Sequence, residues 1–152
     1  MNITLREFLA AEKVNYQQDF HRTAYTAQQV AAEEHIPGRI MAKTVVFKAD
    51  DHYVLAVLPA SLRVDMAKLK ASLGSKEIHL APELAFGGLF PDCEVGAMPP
   101  FGNLYGVPVY VDRSLAEDDE IVFNAGTHQD TIRMKYSDFS RLTHLRVLEF
   151  AQ

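Results

Sequence analysis

Two neighbouring stretches, "MAKTVVFKAD" (Met41–Asp50) and "YVLAVLP" (Tyr53–Pro59), restrict the fold more than any other part of the chain. Each is rich in Val, Leu and Phe, residues that suit a pleated backbone. The link between them, "KADDH", is rich in Asp and reads as a turn, so the pair predicts a β-hairpin. Both strands are apolar at odd and even positions alike. Side chains alternate across a strand, so a pattern of this kind needs cover on both faces and places the hairpin in the middle of a sheet. With 152 residues, 48% of them hydrophobic, the chain has enough apolar material to supply that cover within one domain, residues 1–152.

Lys43 does not fit this picture easily. It opens the first strand on the same side of the pleat as Val45 and Phe47. A lysine there either snorkels to solvent because the strand has only begun, or points its amine into a pocket. The stretch alone supports both readings.

The remaining elements surround the hairpin. Thr4 with Glu7, and Thr26 with Gln29, have the spacing of capping boxes and predict two helix starts. "SLRVDMAKLKASLG" sets Leu62, Met66, Leu69 and Leu73 at helical spacing and ends on Gly74 as a C-cap. "KEIHLA" reads as a short strand and "PELAFGGLF" as a short helix or turn. "VPVYVD", "DEIVFNAG" and "DTIRMKYS" read as three more strands. "SDFSRLTHL" predicts a last helix, and "RVLEF" a strand at an edge. Hairpins mixed with helices, without βαβα alternation, predict an α+β fold: a mixed, mostly antiparallel, strongly curved sheet with helices packed around it.

Composition removes several function classes. A net charge of −5 argues against holding nucleic acid by charge alone, and against a DNA-binding role. No apolar run is long enough to span a membrane, and the N-terminus lacks the pattern of a signal peptide. One cysteine permits no internal disulfide, which fits a cytoplasmic protein. The six histidines are scattered without HxxxH or CxxC spacing, so no metal site is expected, and no cofactor fingerprint is present. Gly-x-Ser-x-Gly is absent. Cys93 is the one candidate thiol nucleophile, and cysteines of this kind are more often inert. Any catalysis must therefore proceed without an obvious protein nucleophile.

Two further stretches have candidate chemistry. "EVGAMPPFGNLYGVP" (Glu94–Pro108) crowds glycine and proline between sheet elements. It is either a crossover loop or a stiff backbone whose N–H groups receive an anion or a developing oxyanion. "FNAGTHQD" (Phe123–Asp130) ends a strand in Asn-Ala-Gly and continues at once into Thr, His, Gln and Asp. It is either a polar hairpin tip or a pocket rim carrying His128.

Taken together, "AYTAQQVA", "MAKTVVFKAD", "VGAMPPFG" and "FNAGTHQDTIRMKYSDF" resemble, in this order and spacing, the YbaK/ProX family of aminoacyl-tRNA editing domains, also found inserted in bacterial prolyl-tRNA synthetases. The resemblance covers nearly the whole chain. It implies a cytoplasmic deacylase that hydrolyses the ester of a mischarged aminoacyl-tRNA, with an Ala-, Cys- or Ser-type error as the expected substrate and tRNAPro as one candidate acceptor. It implies that Lys43 is the functional lysine, beside Thr44, and that it shares one pocket with the loop Gly96, Ala97, Met98, Pro99, Pro100 closed by Gly102. Tyr25 and Thr26 before the helix, the strand-end turn Asn124 to Gly126, and His128 complete the implied substrate-binding set. Met98 and Pro99 stand where other members have a small or hydroxyl residue before the proline. The implied partners are the acceptor end of an aminoacyl-tRNA and, with an acidic protein of this kind, a synthetase or elongation factor. A non-catalytic aminoacyl- or RNA-binding module and a small-molecule esterase are the rival readings.

Overall fold

The hairpin forms as expected, from β2 (Ala42–Ala49) and β3 (His52–Pro59), antiparallel, with Lys43 opposite Leu58 and Phe47 opposite Val54. Asp50 takes the left-handed conformation that the tight turn needs, at φ 54°. The structure is a computed structural model and describes residues 1–152. β2 and β3 lie inside a five-stranded sheet of order β4 (Ile78–Leu80), β2, β3, β5 (Val109–Asp112), β8 (Arg146–Leu148). The two pairings beyond β3 are parallel, and the others in this sheet are antiparallel.

Both faces of the hairpin are covered, as the unbroken apolar pattern requires. On one face Val46, Leu55 and Val57 join a core built with α1 (Ile3–Glu12), the loop residues Met98 and Phe101, and Phe139 of α6 (Tyr136–Thr143). On the other face Phe47, Val54, Ala56 and Leu58 pack with Leu69 of α3 (Met66–Leu73) and with Phe150.

The remaining strands form a second sheet rather than extending the first. Its order is β1 (Gln17–Phe20), β7 (Asp130–Lys135), β6 (Glu120–Asn124), all antiparallel. A single parallel bridge, Met41 to Val122, ties it to β2. β1 has no readable pattern in "QQDF", and its pairing with β7 creates it.

Helix starts divide the expectations. α2 (Ala27–Glu33) has the full capping box: Gln29 N–H donates to Thr26 Oγ1 at 3.1 Å, and the Gln29 amide oxygen accepts from Thr26 N–H at 3.2 Å. Thr4 does not cap α1. The N-cap position is Asn2, and the Thr4 N–H instead donates to Asp92 Oδ2 at 3.0 Å. A carboxylate from a distant loop thus satisfies the donor that a local box would have served. α3 starts at Met66 under Asp65, which accepts from Ala67 and Lys68 N–H, so Leu62 lies ahead of the helix. Gly74 ends it at φ 66° as expected. α4 (Glu83–Phe86) and α5 (Arg113–Ala116) are single turns. Asp112 caps α5 through Ser114 N–H. Its other oxygen accepts from Phe150 and Ala151 N–H, which fixes the last residues beneath the sheet.

Candidate active site

The position of the site follows from a gap in sheet pairing. Ala60 N–H donates to Met41 O, so Met41 and Ala60 are a hydrogen-bonded pair, and the odd residues of β2 bond to β3. Pro59, which has no N–H, falls in register opposite Ala42, as this alternation requires. The even residues, Ala42 and Thr44, therefore turn their N–H and C=O groups to the outer edge. There β4 pairs only with Phe47–Ala49, while Ala81 N–H reaches Val46 O and the second sheet meets β2 only at Met41. The edge is left open at Thr44, between the Met41–Val122 bridge and the Ala81–Val46 contact, and the candidate residues gather around it.

Two clefts flank this edge. The first, of about 190 Å³, is lined by Thr44, Val46, Phe86, Glu83, Gly96 and Met98, among others. Glu83 is the one charged residue in its lining. The second, of about 410 Å³, is lined by Thr26, Gln28, Lys43, Ser61 and Arg63 with the intervening apolar residues. Of these two clefts Lys43 lines the second and the loop residues Gly96 and Met98 line the first, where one shared pocket was expected. Successive side chains of a strand point to opposite faces. Lys43 lies on the Val45–Phe47 face, whereas the loop packs against the Ala42–Val46 face, so Thr44 is the residue that meets Gly96 and Met98. The Lys43 ammonium makes no ion pair. Burial first, and then the neighbouring Arg63 charge, holds its pKa below the usual lysine range.

The loop is held from behind by the turn after β6. Gly126 N–H donates to Ala97 O, and Glu94 N–H donates to Gly126 O. His128 N–H donates to Glu94 Oε1 at 3.1 Å, and its Nε2 lies 2.9 Å from Val95 O. A carbonyl only accepts, so Nε2 carries the proton and, in the neutral ring, Nδ1 keeps the lone pair. Nδ1 is buried and has no partner. The exposed Tyr25 ring leans on the His128 ring, with centroids 4.9 Å apart. Gly96 adopts φ 89° within reach of His128, a conformation that disfavours any side chain there.

The structure thus brings Tyr25, Thr26, Lys43, Thr44, Gly96, Met98 and His128 to one end of β2. Ala97 and Gly126 contribute backbone support. Pro99, Pro100 and Gly102 are buried behind the loop, and Gly102 is a packing glycine: a Cβ there would lie 2.3 Å from Val107 O. Asn124 is buried with its Oδ1 unpaired, on β6 opposite Thr131. Within the loop, Gly96 N–H turns to Met98 Sδ and Ala97 N–H to Glu94 O, which leaves Met98 N–H without a partner in the chain. Arg63 and Glu83 escaped the reading of the sequence. Arg63 had a signal in the hairpin register: residues just after Pro59 must lie beside the first residues of β2.

Cys93 is no nucleophile in this setting. Burial pushes its thiol up to about 11, and it sits against Tyr105 and the Asp92 carboxylate.

Comparison with known proteins supplies the family. Residues 21–142 match the aminoacyl-tRNA editing domain. The multifunctional Ser/Thr-tRNA deacylase ProXp-y of Escherichia coli is 31% identical over 114 residues, covering 72% of this chain and 68% of that protein. A proline–tRNA ligase of Thermosipho africanus is 38% identical over 56 residues, 37% of this chain and 10% of the ligase. Among solved structures, a candidate trans-editing enzyme for prolyl tRNA synthetase superposes with a TM-score of 0.84 at 19% identity, covering 98% of this chain and 95% of that one. On its sequence and its fold, the chain belongs to the aminoacyl-tRNA editing domain family.

Proposed function

We propose that this chain is a trans-editing deacylase acting in the cytoplasm on the ester between a small, wrongly attached amino acid and the terminal ribose of a tRNA, with Ala-, Cys- or Ser-type errors on tRNAPro as its first candidates. The observation that carries the reading is the open β2 edge set between a small, largely apolar cleft and a cationic one. About 190 Å³ is less than a drug-sized ligand fills and suits one small side chain with its α-carbon. Glu83 offers the only charge there, opposite in sign to the α-ammonium that every aminoacyl ester carries. The relative named as a Ser/Thr-tRNA deacylase supports a small hydroxyl-bearing substrate such as Ser.

In this reading the ester carbonyl lies at the edge, where the N–H groups of Thr44 and Met98 are free to donate to the developing oxyanion. Lys43 holds the nucleotide side of the ester as a cation. A water oxygen attacks the carbonyl carbon and the carbon–oxygen bond to the ribose breaks. The ribose oxygen takes one proton of the water, the other is released to solvent, and the amino acid leaves as its carboxylate. No protein atom becomes covalently attached, in keeping with the unreactive Cys93 thiol. A separate small site makes chemical sense, because a synthetase pocket gains only about 1–3 kcal/mol per methylene against a smaller competitor.

The test is single-turnover deacylation of Ala-, Cys-, Ser- and Thr-tRNA on tRNAPro and on other acceptors, beside free aminoacyl esters. Faster loss of at least one mischarged tRNA supports the reading. Hydrolysis of the free esters alone would make the protein a small-molecule esterase. Binding without hydrolysis would make it a recognition module.

A further inference from the structure

We propose that Arg63, with Lys43, forms a phosphate-binding cleft that receives the phosphodiester on the 5′ side of the terminal tRNA nucleotide, so that Arg63 is a positioning residue for deacylation. This inference rests on the deacylase reading for the identity of the ligand, and on the cleft itself for its chemistry.

The cleft of about 410 Å³ contains two cations and no carboxylate; its other polar groups are the Thr26 and Ser61 hydroxyls and the Gln28 amide. Of the eight arginines, Arg22, Arg39, Arg113 and Arg141 are paired with acids, while Arg6, Arg133 and Arg146, like Arg63, are not; Arg63 is the one of these four that lines a cleft with a lysine and no carboxylate. Arg63 has no such partner, on a chain whose net charge is −5. Two like charges kept close without an acid destabilise each other; burial first, and then Arg63, lowers the Lys43 ammonium. An anion between them removes that repulsion and takes two charge-assisted contacts, with the guanidinium fork matched to phosphate oxygens. Neutral donors from Ser61 and Gln28 suit the same oxygens.

Position selects the phosphate. Lys43 and Thr44 are consecutive, so the cationic cleft and the small cleft lie on either side of the same open strand edge. With the amino acid in the small cleft, the ester and ribose lie at the edge, and the next anion along the RNA is the phosphodiester of that nucleotide. The base of Arg63 is fixed for this task. Its N–H donates to Gln152 O at 2.9 Å, and its carbonyl accepts from Gln152 N–H at 2.8 Å.

The experiment compares wild type, Arg63→Gln and Arg63→Lys on two substrates: a mischarged tRNA, and the same amino acid esterified to adenosine, which has no phosphate. Binding of uncharged tRNA is followed in parallel by fluorescence anisotropy over a salt series. In Arg63→Gln, KM for the tRNA should rise about tenfold with kcat little changed, since one charged contact is worth roughly that much. The slope of log affinity against log salt should fall by about 0.7, the loss of one single-strand phosphate contact. Hydrolysis of the adenosine ester should not change, and Arg63→Lys should restore much of the KM and most of the slope. An unchanged tRNA KM and slope in Arg63→Gln overturns the proposal, and so does an equal loss on both substrates. If the wild type hydrolyses no aminoacyl-tRNA while Arg63 still sets the salt slope, the phosphate cleft stands and the deacylase reading fails.

Discussion

At the residue scale, protonation states distinguish the groups that act from those that do not. Lys43 must carry its proton to hold an anion. Its pKa is lowered by burial and by Arg63, so deacylation should fall on the alkaline side before the ordinary lysine range of about 10.4 is reached. Arg63→Gln removes the like charge and should move that alkaline limb to higher pH. A pH–rate profile of both proteins, corrected for spontaneous ester hydrolysis, checks the direction. Cys93 gives the opposite expectation. With its thiol raised to about 11, Cys93→Ala should deacylate at the wild-type rate, and a thiol-modifying reagent should act slowly on the native protein. Lys43 was legible because a charged residue interrupts an apolar strand. Its neighbour across the cleft was not, because "SLRVD" reads as a helix start and only the strand register brings Arg63 alongside.

At the scale of the element, two glycines of one loop should respond differently. Gly102 has ordinary backbone angles but no room: a Cβ would meet Val107 O, Val109 and Leu55. Gly102→Ala should therefore destabilise the protein by about 1–3 kcal/mol or more through overpacking, seen as a lower melting temperature. Gly96 has room but a left-handed backbone beside His128, so Gly96→Ala should affect deacylation more than stability, at about 1–2 kcal/mol of backbone strain. Asp92 shows how a loop can replace a helix cap. Burial alone would raise its carboxyl, but donors from Thr4, Tyr105 and Asn2 outweigh that and hold it well below the usual carboxylate range. A lowered acid stabilises the fold above its unfolded pKa, about 3.9, and loses that contribution as pH falls through its folded value. Asp92→Asn should thus lower the urea midpoint at neutral pH, and the difference from wild type should shrink in acid. The capping box at Thr26 and Gln29 was readable because both partners are local. The cap of α1 was not, because its acceptor lies 88 residues away.

At the scale of the whole molecule, the α+β class and the central hairpin were legible because an unbroken apolar pattern needs two covered faces. The division into two sheets was not, because β1 is three polar residues and a single exposed Phe20, and exists only by pairing with β7. That division is what creates the site. β4 and β6 approach β2 from the same side but stop at different residues, and the uncovered edge between them separates the Lys43 cleft from the loop cleft. The shared pocket of Lys43 and the loop was what the family resemblance implied, whereas strand alternation assigns them to opposite faces of β2 and leaves the substrate to span them.

The central claim is that this edge positions an aminoacyl ester for attack by water, with Lys43 as the anchoring cation. The most direct test is single-turnover hydrolysis of a mischarged tRNA by wild type, Lys43→Ala and Lys43→Arg, with a thermal melt of each. Lys43→Ala should slow hydrolysis by about 10²-fold, the scale of a lost transition-state donor, and leave the melt nearly unchanged, because truncating a half-exposed lysine removes no core volume. Lys43→Arg should rescue poorly, since a second guanidinium beside Arg63 keeps the charge but not its placement. Wild-type hydrolysis in Lys43→Ala would contradict the account, and a melt that collapses together with the rate would show Lys43 to be a structural residue.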